Sequence, residues 1–339
     1  MKLGLGLYQR MLTKENFRFA KQVGCTHIVA HLTDYHTVPL DLDLHDKVYS
    51  LENLQRLKRE MNEEGVEFHA IENFCPAHWY DVLLDGPKKQ EQMERLKSIV
   101  RNMGEVGIPV LGYNFSIAGV WGLTEEHAAR GKARTAVFHN PEHTPIPMGT
   151  VWNMQYDFQP AEGHLQKITA EDLWSRLDYF LGELLPVAEE AGVILAAHPD
   201  DPPLKEVRGH SRLVYKPELF QKLLDLHPSK NSRLEFCLGT IQEMADGDVY
   251  EAIEKYADSI GYIHFRNVRG KVPHYDEVFV DEGDIDMIKA LRILKERNYE
   301  GVLIPDHTPA TECDAPWHAG MAYALGYMKA AISSLERDK

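Results

Sequence analysis

The chain has 339 residues, of which 44% are hydrophobic and 26% are charged, a composition typical of globular proteins rather than disordered ones. Acidic residues outnumber basic ones by 52 to 37, so the formal charge of −15 disfavours nucleic acid or an anionic membrane as partner. The longest apolar runs have the length of strands and are too short for a membrane-spanning helix.

The amino terminus and the cysteines indicate in which cellular compartment the protein is expected. The opening segment MKLGLGLYQR has an apolar run too short for a signal peptide, and the four cysteines are widely spaced. We therefore expect a cytoplasmic protein with reduced thiols.

Short apolar runs alternate with amphipathic helical patterns almost from end to end, as expected of repeated βα units around a parallel sheet. The predicted strands are Lys2–Tyr8, His27–Leu32, Glu67–Asn73, Val110–Ser116, Val193–Asp200, Arg233–Thr240, Gly261–Asn267 and Gly301–His307. The predicted helices are Thr13–Val23, Leu51–Glu64, Lys89–Glu105, Ala170–Ala191, Pro217–Leu226, Asp248–Ala257, Ile285–Glu296 and Ala319–Leu335. Eight such units fit a closed (β/α)₈ TIM barrel better than a doubly wound open sheet. We predict one α/β domain over residues 1–339.

The alternation of predicted strands and helices is interrupted once, by residues 117–168 between the fourth strand and its helix. An insertion after a strand lies on the carboxyl-terminal face of a barrel, where active sites are found. We expect this segment to cover the substrate, and a purely structural excursion or an oligomer contact is the alternative.

Residues able to bind a metal end the last four predicted strands. His198 lies in AAHPDD, Cys237 in LEFCLG, His264 in YIHFRN and Asp306 in IPDHTP. Side chains at strand ends point into the barrel mouth, so neighbouring strands bring these ligands to one point. Imidazole and thiolate suit zinc, iron or cobalt, whereas more carboxylates would favour magnesium or manganese. The pattern predicts one divalent cation.

Other polar residues also lie at strand ends. Arg266 has the same strand parity as His264 and offers a fork for a substrate carboxylate. His307 is suited to general acid or base chemistry because its ordinary pKa lies near working pH. Glu72 either contacts substrate or orients a metal ligand. GxGxxG, GxxxxGK[ST] and GxSxG motifs in the required context are absent from the sequence, so nucleotide-phosphate cradles and a nucleophile elbow are disfavoured.

Several segments carry a resemblance to a known family. They are PVAEEAGVILAAHPDDPP (186–203), LEFCLGT (234–240), IGYIHFRN (260–267), DEGDIDM (281–287), IPDH (304–307), YNF (113–115) and IEN (71–73). With them the sequence resembles the mannonate dehydratase family, a branch of the xylose isomerase-like barrels. The resemblance implies dehydration of D-mannonate to 2-keto-3-deoxy-D-gluconate in hexuronate catabolism. It also implies a divalent ion, usually manganese, for which zinc, iron or cobalt are alternatives.

Carried over by motif, the resemblance assigns roles to individual residues. The implied metal ligands are His198, Cys237, His264 and Asp306; the implied catalytic residues are His307, Arg266 and Tyr113; and substrate is expected to contact Asn114, Glu72, Arg266 and Trp317. The implied reaction removes a proton at C2, stabilises charge on the adjoining carboxylate through the metal, and expels the C3 hydroxyl with acid help.

The sequence departs from the family after the eighth strand. A family tyrosine has no counterpart there, and TPATECDAPWHAG (308–320) offers Glu312, Trp317 and His318 instead. A sugar isomerase or epimerase on the same barrel is the main alternative; a hydrolase or a non-catalytic barrel is disfavoured. We expect a small sugar acid as binding partner and a homo-oligomer, either a dimer or a tetramer.

Overall fold

Eight parallel strands form a closed barrel in a computed structural model that describes residues 1–33 and 46–337. They are β1 (Lys2–Tyr8), β2 (His27–His31), β3 (Glu67–Glu72), β4 (Val110–Tyr113), β5 (Ile194–Ala197), β6 (Ser232–Cys237), β7 (Ile260–His264) and β8 (Val302–Ile304). Each strand pairs with its neighbours in the chain, and β8 closes the barrel onto β1. The predicted TIM barrel is confirmed, although most strands are a few residues shorter than the apolar runs suggested.

One long helix follows each strand. They are α1 (Lys14–Gln22), α2 (Leu51–Glu63), α3 (Lys89–Val106), α4 (Ala170–Ala191), α5 (Glu218–Leu226), α6 (Val249–Tyr256), α7 (Met287–Glu296) and α8 (Pro316–Arg337). Thr169 caps α4 by accepting a hydrogen bond from the backbone N–H of Asp172, and Gly192 ends the helix in the left-handed conformation at φ 69°. Across residues 1–33 and 46–337, no helix has the length and apolarity needed to cross a membrane.

The barrel has two hydrophobic cores. A large core fills the space between the strands and the surrounding helices. A small core fills the barrel interior and consists of Val29, Ala70, Val110, Ala196, Tyr262, Val302 and Ile304. Because alternate residues of a strand face opposite sides, the residues two positions further along these strands also point inward. Those positions are polar on several strands, so the interior changes from apolar to charged toward the carboxyl-terminal mouth.

Part of the segment 117–168 forms regular strands. Strands Thr124–Ala129 and Ala133–His139 form an antiparallel pair, and the second of them pairs with His274–Val278, which pairs in turn with Asn267–Lys271. We call these four strands the mouth sheet. Phe138 and Tyr275 stack within it, with ring centroids 5.5 Å apart. The segment after β4 is thus joined to the segment after β7, on the face where active sites of such barrels lie.

Candidate metal centre

Three of the four predicted metal ligands form one group at the barrel mouth. His198 directly follows β5, Cys237 ends β6 and His264 ends β7, and their ligand atoms all lie within 4.8 Å of one another. Asp306 follows β8 in a left-handed conformation at φ 65° and places Oδ2 3.5 Å from Nδ1 of His264. Asp306 is therefore beside this group rather than inside the same 4.8 Å set.

Cys237 stands where β6 ends and the short helix Leu238–Glu243 begins. Its Sγ accepts a hydrogen bond from the backbone N–H of Thr240 at 3.4 Å, and the side chain is fully buried. Burial alone would raise the pKa of this thiol, but the positive charge of Arg266 and hydrogen bonds with His198 and His264 lower it to about 5. Cys237 is a thiolate at neutral pH, which is the form that binds metals.

The two histidines complete the donor set. Nδ1 and Nε2 of His264 are both buried, and Nε2 lies 3.1 Å from Oε1 of Glu235. Nδ1 of His198 lies 2.6 Å from the carbonyl oxygen of Pro199, which fixes the ring. Buried polar atoms are costly unless hydrogen bonds or a bound ion satisfy them. A thiolate, two imidazoles and an adjacent carboxylate fit a divalent transition-metal ion.

Arg266 does not offer the free fork that the sequence suggested. Its Nη1 donates to Oε1 of Glu277 at 2.9 Å, and its Nη2 donates to Oδ2 of Asp201 at 2.7 Å and to Oε1 of Glu243 at 3.0 Å. The guanidinium is buried, and Nη1 also lies 3.5 Å from Oδ2 of Asp306. Both terminal nitrogens are thus engaged by protein carboxylates, and the placement of Arg266 as a substrate fork is corrected to a buried ion cluster.

His307 lies at the open side of the site. Its Nδ1 is 2.9 Å from Oε2 of Glu277, its Nε2 is 3.6 Å from Oδ1 of Asp306, and 40% of its side chain is exposed. Desolvation would lower the pKa of His307, but the negative charges of Asp306 and Glu277 raise it to about 10. Of the two roles predicted for His307, the structure favours the general acid because the ring carries its proton at neutral pH.

Glu72 and Asn114 lie next to the ligands. Oε2 of Glu72 is 3.4 Å from Nε2 of His264 and 3.3 Å from Nε2 of His31, inside the barrel. This position fits the alternative in which Glu72 orients a ligand. The amide nitrogen of Asn114 donates to the carbonyl of Pro199 at 3.0 Å, directly after His198, while its Oδ1 is buried and lacks a hydrogen-bond partner in the described residues.

Two predicted site residues lie elsewhere. Gly112 faces the barrel interior, so the next residue, Tyr113, faces outward, and its ring packs against Phe180 of α4 at 5.2 Å. The predicted catalytic placement of Tyr113 is corrected for this reason. Trp317 lies in the first turn of α8 and packs against Phe19 of α1, with ring centroids 6.1 Å apart; its substrate contact stays a prediction.

Sequence reasoning missed four residues around the ligands. Tyr8 and His31 end β1 and β2 and stack at 4.5 Å, and Glu235 and Tyr262 lie deeper on β6 and β7. Glu235 places Oε1 3.1 Å from Nε2 of His264, and burial together with the charge of Glu72 raises the pKa of Glu235 to about 7. The signal was available, because all four share the inward parity of the metal ligands on their strands.

Comparisons with known proteins show which proteins the chain is similar to. The sequence profile of the D-mannonate dehydratase (UxuA) family matches residues 8–338. The mannonate dehydratase of Streptococcus pneumoniae (strain 70585) is 32% identical over 277 residues, which cover 77% of this chain and 75% of that protein. The crystal structure of mannonate dehydratase from Streptococcus suis serotype 2 superposes with a TM-score of 0.81 and 27% identity, covering 100% of this chain and 94% of that one.

A more distant solved structure shares the fold alone. A structure of L-ribulose 3-epimerase matches with a TM-score of 0.61 and 15% identity, covering 99% of this chain and 96% of that one. At this identity the likeness concerns the barrel and not the reaction.

Proposed function

The chain belongs to the D-mannonate dehydratase family of hydro-lyases, and we propose that it converts D-mannonate to 2-keto-3-deoxy-D-gluconate with the help of one divalent ion. The observation that carries this proposal is the meeting of His198, Cys237 and His264 at three successive strand ends, with Asp306 beside them. We further propose manganese as the ion, with zinc, iron and cobalt as alternatives, and hexuronate catabolism as the setting.

The proposed roles of the site residues follow from their charges. If bound by His198, Cys237, His264 and Asp306, the ion would supply Lewis acidity at the substrate carboxylate, which would make the C2 proton easier to transfer to solvent. His307 carries its own proton, held by Glu277 and Asp306, and it is partly exposed toward the mouth. It donates that proton to the departing C3 hydroxyl, which leaves as water. The resulting enol becomes the 2-keto acid.

Arg266 supports this arrangement without touching substrate. Its charge stabilises the Cys237 thiolate, and its contact with Asp306 holds that carboxylate near His264. The mouth sheet supplies Glu277, which contacts both Arg266 and His307. The mouth sheet therefore adjoins the site and also holds His307, the proposed general acid, in position through Glu277.

The test is an aldonate assay on protein stripped with a chelator and reloaded with manganese. We expect D-mannonate to yield a 2-keto-3-deoxy acid, and His307→Gln to lower kcat on the order of 100-fold or more, as for loss of a general acid. His318→Gln is the matched control, because His318 follows the same strand but contacts Asn16 of α1. Turnover of a ketose but no aldonate, with any of the four metals, would move the assignment to an isomerase.

A further inference from the structure

A second group of ligand-type side chains lies inside the barrel, below the candidate metal centre. Glu72 on β3, Glu235 on β6 and His264 on β7 place one ligand atom each within 4.8 Å of one another, and all three side chains are buried. Barrel interiors are ordinarily filled by layers of bulky apolar residues. Two carboxyl groups in this position need a proton, a hydrogen-bond donor or a cation to compensate their burial.

The ligand-type atoms of this group lie close to one another. Nε2 of His264 lies 3.1 Å from Oε1 of Glu235 and 3.4 Å from Oε2 of Glu72. These three atoms and the Tyr262 hydroxyl are all buried. Two atoms that bind one ion at about 2.1 Å, at right angles, lie about 3 Å apart. The separations thus match atoms that converge on a shared cation.

Two imidazoles, those of His31 and His264, are the basic side chains recorded near the two carboxyl groups. Nδ1 of His264 faces Asp306, so this imidazole has at most one N–H to offer to Glu72 and Glu235 together. His31 contacts Oε2 of Glu72 at 3.3 Å but is not recorded against Glu235. Among the described residues, His264 is the one basic side chain recorded within ion-pair distance of Glu235. A divalent cation would satisfy both carboxylates at once.

The neighbouring strand leaves room for this arrangement. Gly112 of β4 faces the interior, and a Cβ added there would lie 2.2 Å from Oε2 of Glu235 and 2.6 Å from the hydroxyl of Tyr262. Any larger residue at position 112 would displace the Glu235 carboxylate. Residues of β4, β6 and β7 therefore together define the space that the buried Glu235 carboxylate occupies.

We propose that Glu72, Glu235 and Nε2 of His264 form a second divalent-cation site, for an ion such as manganese, zinc or cobalt, beneath the His198–Cys237–His264 group. His264 would join the two sites through its two ring nitrogens, which requires the ring to release its remaining N–H proton to solvent when both ions bind. The lower site lies among buried side chains and serves to hold His264 in place from below. It does not depend on which sugar acid the enzyme dehydrates.

Cobalt distinguishes the two sites because only the upper one contains a thiolate. Chelator-stripped protein is titrated with Co²⁺ while its thiolate-to-cobalt charge-transfer absorption is followed, and bound cobalt is counted by elemental analysis after gel filtration. We expect two cobalt ions per chain, with the absorption reporting the upper ion alone. Glu235→Gln should bind one ion and keep the absorption, whereas Cys237→Ser should lose the absorption and keep the ion that depends on Glu235.

Gly112→Ala should also lose the lower ion and keep the absorption, since its methyl group displaces the Glu235 carboxylate. Circular dichroism and urea unfolding check that each variant is folded. One cobalt ion per wild-type chain, or two ions in folded Glu235→Gln, would overturn the second site. Two bound ions without mannonate turnover would instead refute only the proposed reaction.

Discussion

Replacing Arg266 with methionine tests whether this residue is part of the protein's interior or a substrate ligand. The guanidinium is 3% exposed and makes hydrogen bonds to three carboxylates, Asp201, Glu243 and Glu277, at 2.7 to 3.0 Å. Arg266→Met leaves these acids buried without their cation. Breaking a buried ion pair from one side costs about 3–5 kcal/mol, which is a large part of an unfolding free energy of about 5–15 kcal/mol.

Urea unfolding followed by tryptophan fluorescence measures this loss on metal-free protein. Arg269→Met is the matched control, because Arg269 lies on the same segment, pairs with Glu282 at 2.6 Å and is 44% exposed. A surface pair of this kind contributes about 0–1 kcal/mol, so the control should unfold nearly as the wild type does. If Arg266→Met lost less than about 1 kcal/mol and only raised KM for mannonate, Arg266 would be a substrate ligand and the interpretation given above would be refuted.

Three further outcomes follow from side-chain placement. Tyr113→Phe should keep kcat within about twofold, because the hydroxyl faces the helix layer; a tenfold loss in steady-state assays would contradict this. Burial, with the charge of Arg208, lowers the pKa of His210 to about 4. Below about pH 6.5 the unfolded chain binds a proton at His210 that the folded chain does not, so the free energy of unfolding falls as pH falls. Between pH 7.5 and 5, His210→Gln should therefore lose about 2 kcal/mol less unfolding free energy than the wild type, measured by urea unfolding. Phe138→Ala should remove about 3–5 kcal/mol of packing against Tyr275 and speed proteolysis within residues 117–168; unchanged cleavage would show that the stack does not hold the sheet.

The barrel and the upper ligands could be predicted because both depend on local pattern. Eight apolar runs separated by amphipathic segments define the βα units, and strand ends fix where His198, Cys237 and His264 point. Applied to every strand, the same parity would have identified Glu235 and excluded Tyr113, whose neighbour Gly112 faces inward.

The partners of Arg266 could not be predicted in this way. Glu277 lies on a strand of the mouth sheet, and that strand reaches Arg266 only because Asn267–Lys271 folds back against it. Asp201 lies 65 residues away in the chain. Sequence spacing marks Arg266 as facing the mouth, but only tertiary pairing decides whether its guanidinium remains available to a ligand.

The mouth sheet also has a consequence for synthesis on the ribosome. Thr135 donates a hydrogen bond from its hydroxyl to the carbonyl of Glu277, across 142 residues of chain. The hairpin of residues 124–139 is therefore made long before its partner strands leave the exit tunnel, and pairings between distant segments form late. We expect the nascent chain to carry an exposed strand edge while residues 140–273 are synthesised, and such an edge can pair with another chain and aggregate.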